Sequence, residues 1–220
     1  MREHQLADWE RLRHAWGGCT RCGLHTARTN MVIGSGDPCA ELVIVGEAPG
    51  FHEDQQGEAF VGRAGELLDE LLASIRLDRE RVLILNVLKC RPPGNRDPQP
   101  GEIASCLPLL HKQIGICQPK AILTLGRFSA RVMLHVERGI GRLRGKWGST
   151  HVEHRDYPVM PTYHPAYVLR NGDGQPGTRH RMRVDEDFAL VRKALDTGFF
   201  LNAEPQAVYQ GGPITVGGHR

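Results

Sequence analysis

The sequence lacks any long apolar run, and this absence narrows the classes of protein that it can encode. No stretch of its 220 residues approaches the roughly 18 to 20 apolar residues of a membrane span, and residues 1–9 lack the apolar core of a signal peptide. We therefore expect a cytoplasmic protein with no membrane partner. Glycine and proline number only 26 and 14, below low-complexity levels, so we expect them in specific turns and loops.

An excess of charge of one sign is also almost absent, since 28 Lys and Arg face 25 Asp and Glu and leave a net charge of +3. The distribution of this charge is uneven. Residues 120–193 contain 14 basic and 7 acidic side chains, so this part carries +7 and the remainder carries −4. A basic half is typical of proteins that bind nucleic acid, although charge alone leaves open a surface that is merely rich in arginine.

The histidines form no metal-binding pattern such as H-E-x-x-H, but four of the six cysteines suggest a metal site. Cys19 and Cys22 form a C-x2-C pair, and fifteen residues separate Cys90 from Cys106. A disulfide framework is disfavoured because the cytosol is reducing. The second close pair of a zinc ribbon and the C-x2-C-x2-C run of a ferredoxin are both missing, so the spacing predicts a metal site and leaves the metal open.

Four short apolar segments, each followed by turn residues, predict buried strands at residues 42–46, 82–86, 121–126 and 157–162. Helix-like stretches alternate with them at about residues 64–77, 101–117, 127–136 and 180–196, and an amphipathic segment at 6–16 precedes them. This alternation predicts an α/β fold, a three-layer α/β/α sandwich around a central four-stranded, mostly parallel sheet. We expect one domain over residues 1–200 and a loosely ordered Gly/Pro-rich tail over residues 201–220.

Polar residues follow three of the predicted strands, at the sheet edge where an open α/β fold binds its ligands. Glu47 lies in a loop after the first strand, Asn86 ends the second, and His164 follows the fourth. Phe60 stands between glycines rather than on a regular apolar face, which favours a stacking platform for a planar ligand. Each residue has a structural alternative: a helix cap for Glu47, a local turn for Asn86, and ordinary packing for Phe60 and His164.

Four sequence motifs place the chain near a known enzyme family. They read GEAPG at residues 46–50, AFVGRAG at 59–65, NVLKCRPP at 86–93 and YHPAYVLR at 163–170. In these motifs and in the layout of its cysteines, the chain resembles the family 4 uracil-DNA glycosylases over roughly residues 15–195. The resemblance implies the α/β/α fold of that superfamily. It also implies a DNA-repair enzyme that hydrolyses the N-glycosidic bond of deoxyuridine, releases uracil and leaves an abasic site.

The resemblance further implies which residues form the site. The uracil-binding set is Gly46, Glu47, Ala48, Gly50, Phe60, Asn86 and His164, of which Glu47 and His164 are the catalytic residues. In this set Phe60 stacks on uracil, Asn86 reads its O4/N3 edge, and His164 lies by O2. Glu47 suits the positioning of water at the sugar, and the neighbouring Glu53 and Asp54 are the next candidates for that role.

A cofactor and a partner also follow from the resemblance. Cys19, Cys22, Cys90 and Cys106 occupy the positions at which the family binds a four-iron four-sulfur cluster. We expect this cluster to be structural, with no catalytic metal, because hydrolysis moves no electrons. The DNA-phosphate contacts are assigned to Arg127, Arg142, Arg144, Lys146 and Arg170. The expected substrate is uracil-containing DNA, double- or single-stranded, and the expected protein is a monomer.

Some observations limit the resemblance or favour neighbouring groups. Ala59 stands where the family usually has proline, which suggests a looser loop before Phe60. Glu47 distinguishes the chain from family 5, and the cysteines distinguish it from family 1. A further group captures uracil-DNA covalently through a histidine, and it is disfavoured because residues 91–101 contain no histidine. The alternatives are a superfamily member of broader specificity for deaminated bases, an Fe–S redox protein, and a DNA-binding module without activity. The absence of a flavin or nicotinamide fingerprint disfavours the redox protein.

The cysteine layout generates the first prediction. Protein purified without oxygen should be brown, with broad absorption at about 400 nm from iron–sulfur charge transfer. Cys19→Ala or Cys106→Ala should bleach this colour and lower the melting temperature, as measured by absorbance, iron analysis and thermal unfolding. Stoichiometric zinc without iron would contradict the cluster.

Overall fold

The computed structural model of the protein describes residues 2–172 and 174–198. The predicted Gly/Pro-rich tail, residues 201–220, and the last two residues of the predicted domain lie outside this range. Within the described part, no helix is long and apolar enough to cross a membrane.

A six-stranded sheet forms the centre of the fold, in the order β1-β3-β2-β4-β6-β5. The strands are β1 (Ser35–Gly36), β2 (Leu42–Gly46), β3 (Leu83–Asn86), β4 (Ala121–Leu125), β5 (Gly148–Val152) and β6 (Arg155–Thr162). The four inner strands β3, β2, β4 and β6 run parallel, and they are the four strands that the sequence predicts.

The predicted count of four strands is wrong, because two edge strands pair antiparallel at the margins of the sheet. β1 is only two residues long and has no β-branched side chain, so it leaves no sequence signal. β5 alternates between exposed and buried residues and forms a hairpin with β6 through Glu153, which has a positive φ of 56°. Neither edge strand shows the continuous apolarity on which the sequence prediction depends.

Eight helices surround the sheet in the described part of the chain. They are α1 (Arg2–Trp16), α2 (Phe51–Gln56), α3 (Arg63–Ser74), α4 (Pro100–Cys117), α5 (Arg127–Leu134), α6 (Ile140–Leu143), α7 (Pro165–Arg170) and α8 (Arg179–Thr197). Short 3-10 turns lie at Gly23–Thr26, Arg79–Arg81 and Pro93–Asn95. The five longer predicted helices are confirmed. The sequence prediction omits α2, α6 and α7, since segments of four to six residues show no clear helical period.

Neighbouring residues of the parallel strands point into two different cores. In β2, Leu42 and Ile44 pack into the core that contains α3, α7 and α8, whereas Val43 and Val45 pack into the core that contains α1, α4 and α5. Both faces of the sheet are therefore covered, which explains why the buried positions of these strands are nearly all apolar. The three-layer α/β/α sandwich predicted from the sequence is confirmed.

A buried ion pair joins α8 to Arg144 after α6, and a hydrogen bond joins the same carboxylate to the end of β6. Asp187 of α8 is fully buried and accepts hydrogen bonds from the Thr162 hydroxyl at 2.6 Å and from Arg144 Nε at 2.9 Å. Arg144 also donates to the backbone carbonyl of Arg183 at 2.7 Å. Burial raises the pKa of Asp187, while its contacts with Arg144 and Thr162 lower it. This network holds the strand end from which His164 follows.

The ion pair generates a stability prediction. Arg144→Met should destabilise the fold by about 3–5 kcal/mol, because the Asp187 carboxylate would stay buried without its charged partner. Denaturant unfolding at pH 8 measures this loss. The exposed neighbour Arg142 provides a matched control, since Arg142→Met should change the free energy of unfolding by less than about 0.5 kcal/mol. Wild-type stability of Arg144→Met would contradict the structural role of the pair.

Candidate active site

Strand pairing brings the polar residues at the strand ends to one edge of the sheet. In the parallel pair of β2 and β3, Gly46 lies opposite Asn86. In the pair of β4 and β6, Leu125 lies opposite Thr162, two residues before His164. The carboxyl ends of all four parallel strands therefore meet at the same rim, as expected for a doubly wound sheet.

The missing side chain of Gly46 lets two other side chains come together at this rim. A Cβ atom at Gly46 would lie 2.4 Å from Asn86 Oδ1 and 2.6 Å from the Phe60 ring. The amide of Asn86 and the edge of Phe60 therefore meet over a bare backbone. Asn86 Oδ1 is buried and accepts no hydrogen bond from any described residue. A buried acceptor without a partner is costly, and a ligand N–H donor would satisfy it.

Phe60 is held in an unusual backbone conformation. Its φ is +56°, in the left-handed region that a bulky residue rarely adopts. Arg79 donates to the carbonyl of Ala59 at 3.0 Å and also to that of Phe60. The Ser35 hydroxyl accepts the Ala59 N–H at 3.0 Å, and a Cβ at Gly65 would lie 1.8 Å from the Phe60 oxygen. These contacts hold the loop, although the sequence suggests a looser loop because residue 59 is alanine.

The His164 ring faces Phe60 and has a defined tautomer. The two ring centroids are 5.4 Å apart, with an angle of 24° between the planes. The Ala166 backbone N–H donates to His164 Nδ1 at 3.1 Å, so a neutral ring carries its proton on Nε2. Burial, with a smaller effect from the charge of Arg170, lowers the pKa of His164 to about 4. The imidazole is therefore a neutral hydrogen-bond donor near neutral pH.

Glu47 lies in the loop after β2 with a strongly perturbed pKa. Burial and the charge of Asp97 raise this pKa to about 7, against the opposing effects of Arg127 and Arg170. Its backbone carbonyl accepts the Leu88 N–H at 3.0 Å, which ties the loop to β3. A carboxyl with a pKa near neutrality can accept a proton during a reaction and release it afterwards.

The remaining residues of the first motif shape this loop. Ala48 packs against the core that contains α4, Pro49 is buried, and Gly50 is the residue before α2. Glu53 accepts the Gly50 N–H at 3.1 Å and so caps the helix. The cap is therefore made by Glu53, and the alternative structural role considered for Glu47 is taken by another residue.

Asp54 is likewise committed to structure. It is buried and accepts the Thr29 N–H at 2.9 Å and the Asn30 N–H at 3.3 Å. Both carboxylates that could replace Glu47 in positioning water are thus bonded to backbone. Glu47 is the acidic residue of this segment that remains for chemistry.

The four cysteines predicted to bind metal line one small cavity beneath the β3 end. The cavity is lined by Cys19, Cys22, Cys90 and Cys106 together with Trp16, Arg21, His25, Arg28, Met31, Ser105 and Leu109. Arg28 donates to Cys90 Sγ at 3.1 Å and to the Cys19 carbonyl at 2.8 Å. Burial raises the pKa of Cys90, opposed by Arg28, and the nearby Cys22 and Cys19 raise it further. In residues 2–172 and 174–198, no group of three or more potential ligands is arranged for a single metal ion.

The predicted phosphate-binding side chains do not all remain available. Four of them are exposed: Arg127, Arg142, Lys146 and Arg170. Arg127 pairs with Asp97 at 3.0 Å and stacks over the Phe128 ring at 4.6 Å. Arg144 differs from these, because Asp187 engages its guanidinium and only 16% of its side chain is exposed. The structure therefore places Arg144 in the scaffold behind the site.

Sequence reasoning missed two residues that support Phe60 and Asn86. Arg79 holds the Phe60 loop from nineteen residues further along the chain, and Lys89 lies fully buried behind Asn86. Arg79 belongs to no motif and leaves no sequence signal. Lys89 does leave a sequence signal, because a lysine is unusual in the otherwise apolar segment that follows β3.

An aromatic ring, an amide and an imidazole thus meet at one rim of an α/β/α sandwich, a combination that suits an enzyme that recognises a flat base. The family model described as the uracil DNA glycosylase superfamily matches residues 33–189. The chain is 42% identical to the type-4 uracil-DNA glycosylase of Sulfurisphaera tokodaii over 84% of this chain and 83% of that protein. It is 48% identical to that of Archaeoglobus fulgidus, over 69% and 78%. The chain therefore belongs to the type-4 uracil-DNA glycosylases.

Proposed function

We propose how this chain excises uracil from DNA: Asn86, Phe60 and His164 at the rim bind the extruded base while Glu47 positions water at the sugar. Uracil excision, a hydrolysis in DNA repair, is the activity of the family to which the chain belongs. The observation that carries the residue assignment is the meeting of Asn86 and Phe60 over the bare backbone of Gly46, with the His164 ring stacked beside Phe60.

Recognition of the base depends on the amide of Asn86. Its unpartnered Oδ1 suits the N3–H of uracil, and its amide N–H suits O4, while the Phe60 ring covers the face of the base. Cytosine presents a bare N3 and an amino group at the same edge. Both contacts would then be unfavourable, at roughly 1–3 kcal/mol each.

The leaving group requires stabilisation of negative charge at O2. Cleavage of the C1′–N1 bond leaves uracil as an anion and the sugar as an oxocarbenium-like centre. The Nε2–H of neutral His164 suits a hydrogen bond to O2, since Ala166 fixes the tautomer. Removal of a single donor of this kind typically costs about 2.7–4 kcal/mol of transition-state stabilisation.

Glu47 supplies the second half of the reaction. Its ionised carboxylate favours the cationic sugar and accepts a proton from water as the water oxygen bonds to C1′. The departing uracil anion takes up a proton from solvent, so the products are uracil and an abasic site. Binding of the DNA itself is assigned to the exposed Arg127, Arg142, Lys146 and Arg170, and it should weaken as salt rises.

We propose that the cysteine cavity holds a four-iron four-sulfur cluster. The proposal is supported by the four cysteines, which come from three segments of the chain and line one space. Cys19, Cys22, Cys90 and Cys106 would hold the cluster, and its contribution is to cross-link these segments. The substrate is proposed to be uracil in double- or single-stranded DNA, and the enzyme to act as a monomer.

The pKa of Glu47 generates a pH prediction for single-turnover uracil excision. The wild-type rate should fall in acid with a midpoint near pH 7, because the carboxyl is protonated below its pKa of about 7. The pKa of His164 is about 4, so His164 stays neutral above pH 5 and does not contribute to the pH dependence of the rate there. Glu47→Gln should lower the rate by a factor of about 10²–10⁴ and remove its decline in acid, while uracil-DNA binding persists.

The exposed Glu58 provides a matched control for this experiment. Glu58→Gln makes the same chemical change nearby and should keep both the wild-type rate and its pH midpoint. A Glu47→Gln enzyme that excised uracil at the wild-type single-turnover rate would contradict the assigned role.

A further inference from the structure

Lys89 is completely buried, although lysine is rarely found inside a protein without a specific partner. Its Nζ donates a hydrogen bond of 2.6 Å to the backbone carbonyl of Asn86. The side chain therefore folds back along its own chain to a residue three positions earlier. Removing an amino group from water costs free energy, so the contact at Asn86 calls for an explanation.

The acceptor belongs to the residue that faces the uracil pocket. Asn86 Oδ1 accepts no hydrogen bond from the described residues, so that atom does not fix the amide. The aim of the side chain therefore depends on the main chain that carries it. Pairing with Gly46 holds one side of this main chain, and the Lys89 amino group holds the Asn86 carbonyl.

The segment that carries Lys89 is itself anchored. The Val32 N–H donates to the Lys89 carbonyl at 2.8 Å, and the Val87 N–H donates to the Gly46 carbonyl at 3.0 Å. With its backbone fixed, Lys89 has a defined position from which its amino group can reach the Asn86 carbonyl. A shorter or apolar side chain at this position would leave that carbonyl buried without this donor.

We propose that Lys89 is a positioning residue for uracil recognition, which holds the Asn86 carbonyl and so keeps the Asn86 amide aimed at the base. Lys89 itself does not touch uracil. The inference rests on the proposed function, which assigns Asn86 as the reader of the uracil edge.

A double-mutant cycle tests this role on the iron-loaded full-length enzyme. Single-turnover uracil excision is measured for the wild type, Lys89→Met, Asn86→Ala and the double variant, and iron content and thermal unfolding are recorded for each. Lys89→Met alone should lower the rate about tenfold, the upper range for one hydrogen bond. In the Asn86→Ala background the same change should cost less than about twofold, because residues that act through one another are not additive.

Inhibition by free uracil supplies a second readout that a merely structural role would not move. The inhibition constant of uracil should rise about tenfold in Lys89→Met, while binding of DNA without uracil stays unchanged. The exposed Lys112 on α4 is the matched control, and Lys112→Met should leave both quantities at the wild-type level. If Lys89→Met does not fold, Lys89→Gln removes the same contact with a polar side chain.

The outcomes separate this inference from the function on which it rests. Additive losses in the cycle, or a normal inhibition constant in Lys89→Met, overturn the positioning role alone. Excision at the wild-type rate by Asn86→Ala overturns the assignment of Asn86, and the role of Lys89 with it.

Discussion

The site depends on one steric constraint, the absence of a side chain where β2 ends at Gly46. Parallel pairing places Gly46 opposite Asn86, and only a bare backbone leaves room there for the amide and for the Phe60 ring. Three other features lie next to this point: the positive φ of Phe60, the contacts of Arg79 with the Phe60 loop, and the hydrogen bond of buried Lys89 to the Asn86 carbonyl.

Burial shifts the pKa values of the two catalytic candidates in opposite directions, but it favours the neutral form of each. It raises the pKa of Glu47 to about 7 and lowers that of His164 to about 4. In both cases the neutral form gains, as desolvation requires. For His164 this produces a donor of fixed tautomer, which costs little reorganisation when charge develops at O2. For Glu47 it produces a carboxylate more basic than usual, as the proposed transfer of a proton from water requires.

The sequence predicts the parallel strands because strands buried on both faces form nearly continuous apolar runs. It also predicts the rim, because strand ends in such a sheet must converge. Other features depend on contacts that no pattern records. β1 is too short to show a period, and Arg79 reaches the Phe60 loop from another part of the chain. Arg144 is predicted to contact phosphate, and only the structure shows that it pairs with Asp187. The pKa values of Glu47 and His164 likewise require the tertiary fold.

The central claim is that Asn86 reads the uracil edge, and its most direct test is the base specificity of Asn86→Asp. Single-turnover release of uracil and of cytosine from matched oligonucleotides would be measured for this variant and the wild type. A carboxylate cannot donate to O4, so the account predicts loss of uracil release, by roughly 1–3 kcal/mol or more in activation free energy, and weak release of cytosine. Uracil release at the wild-type rate would contradict the account.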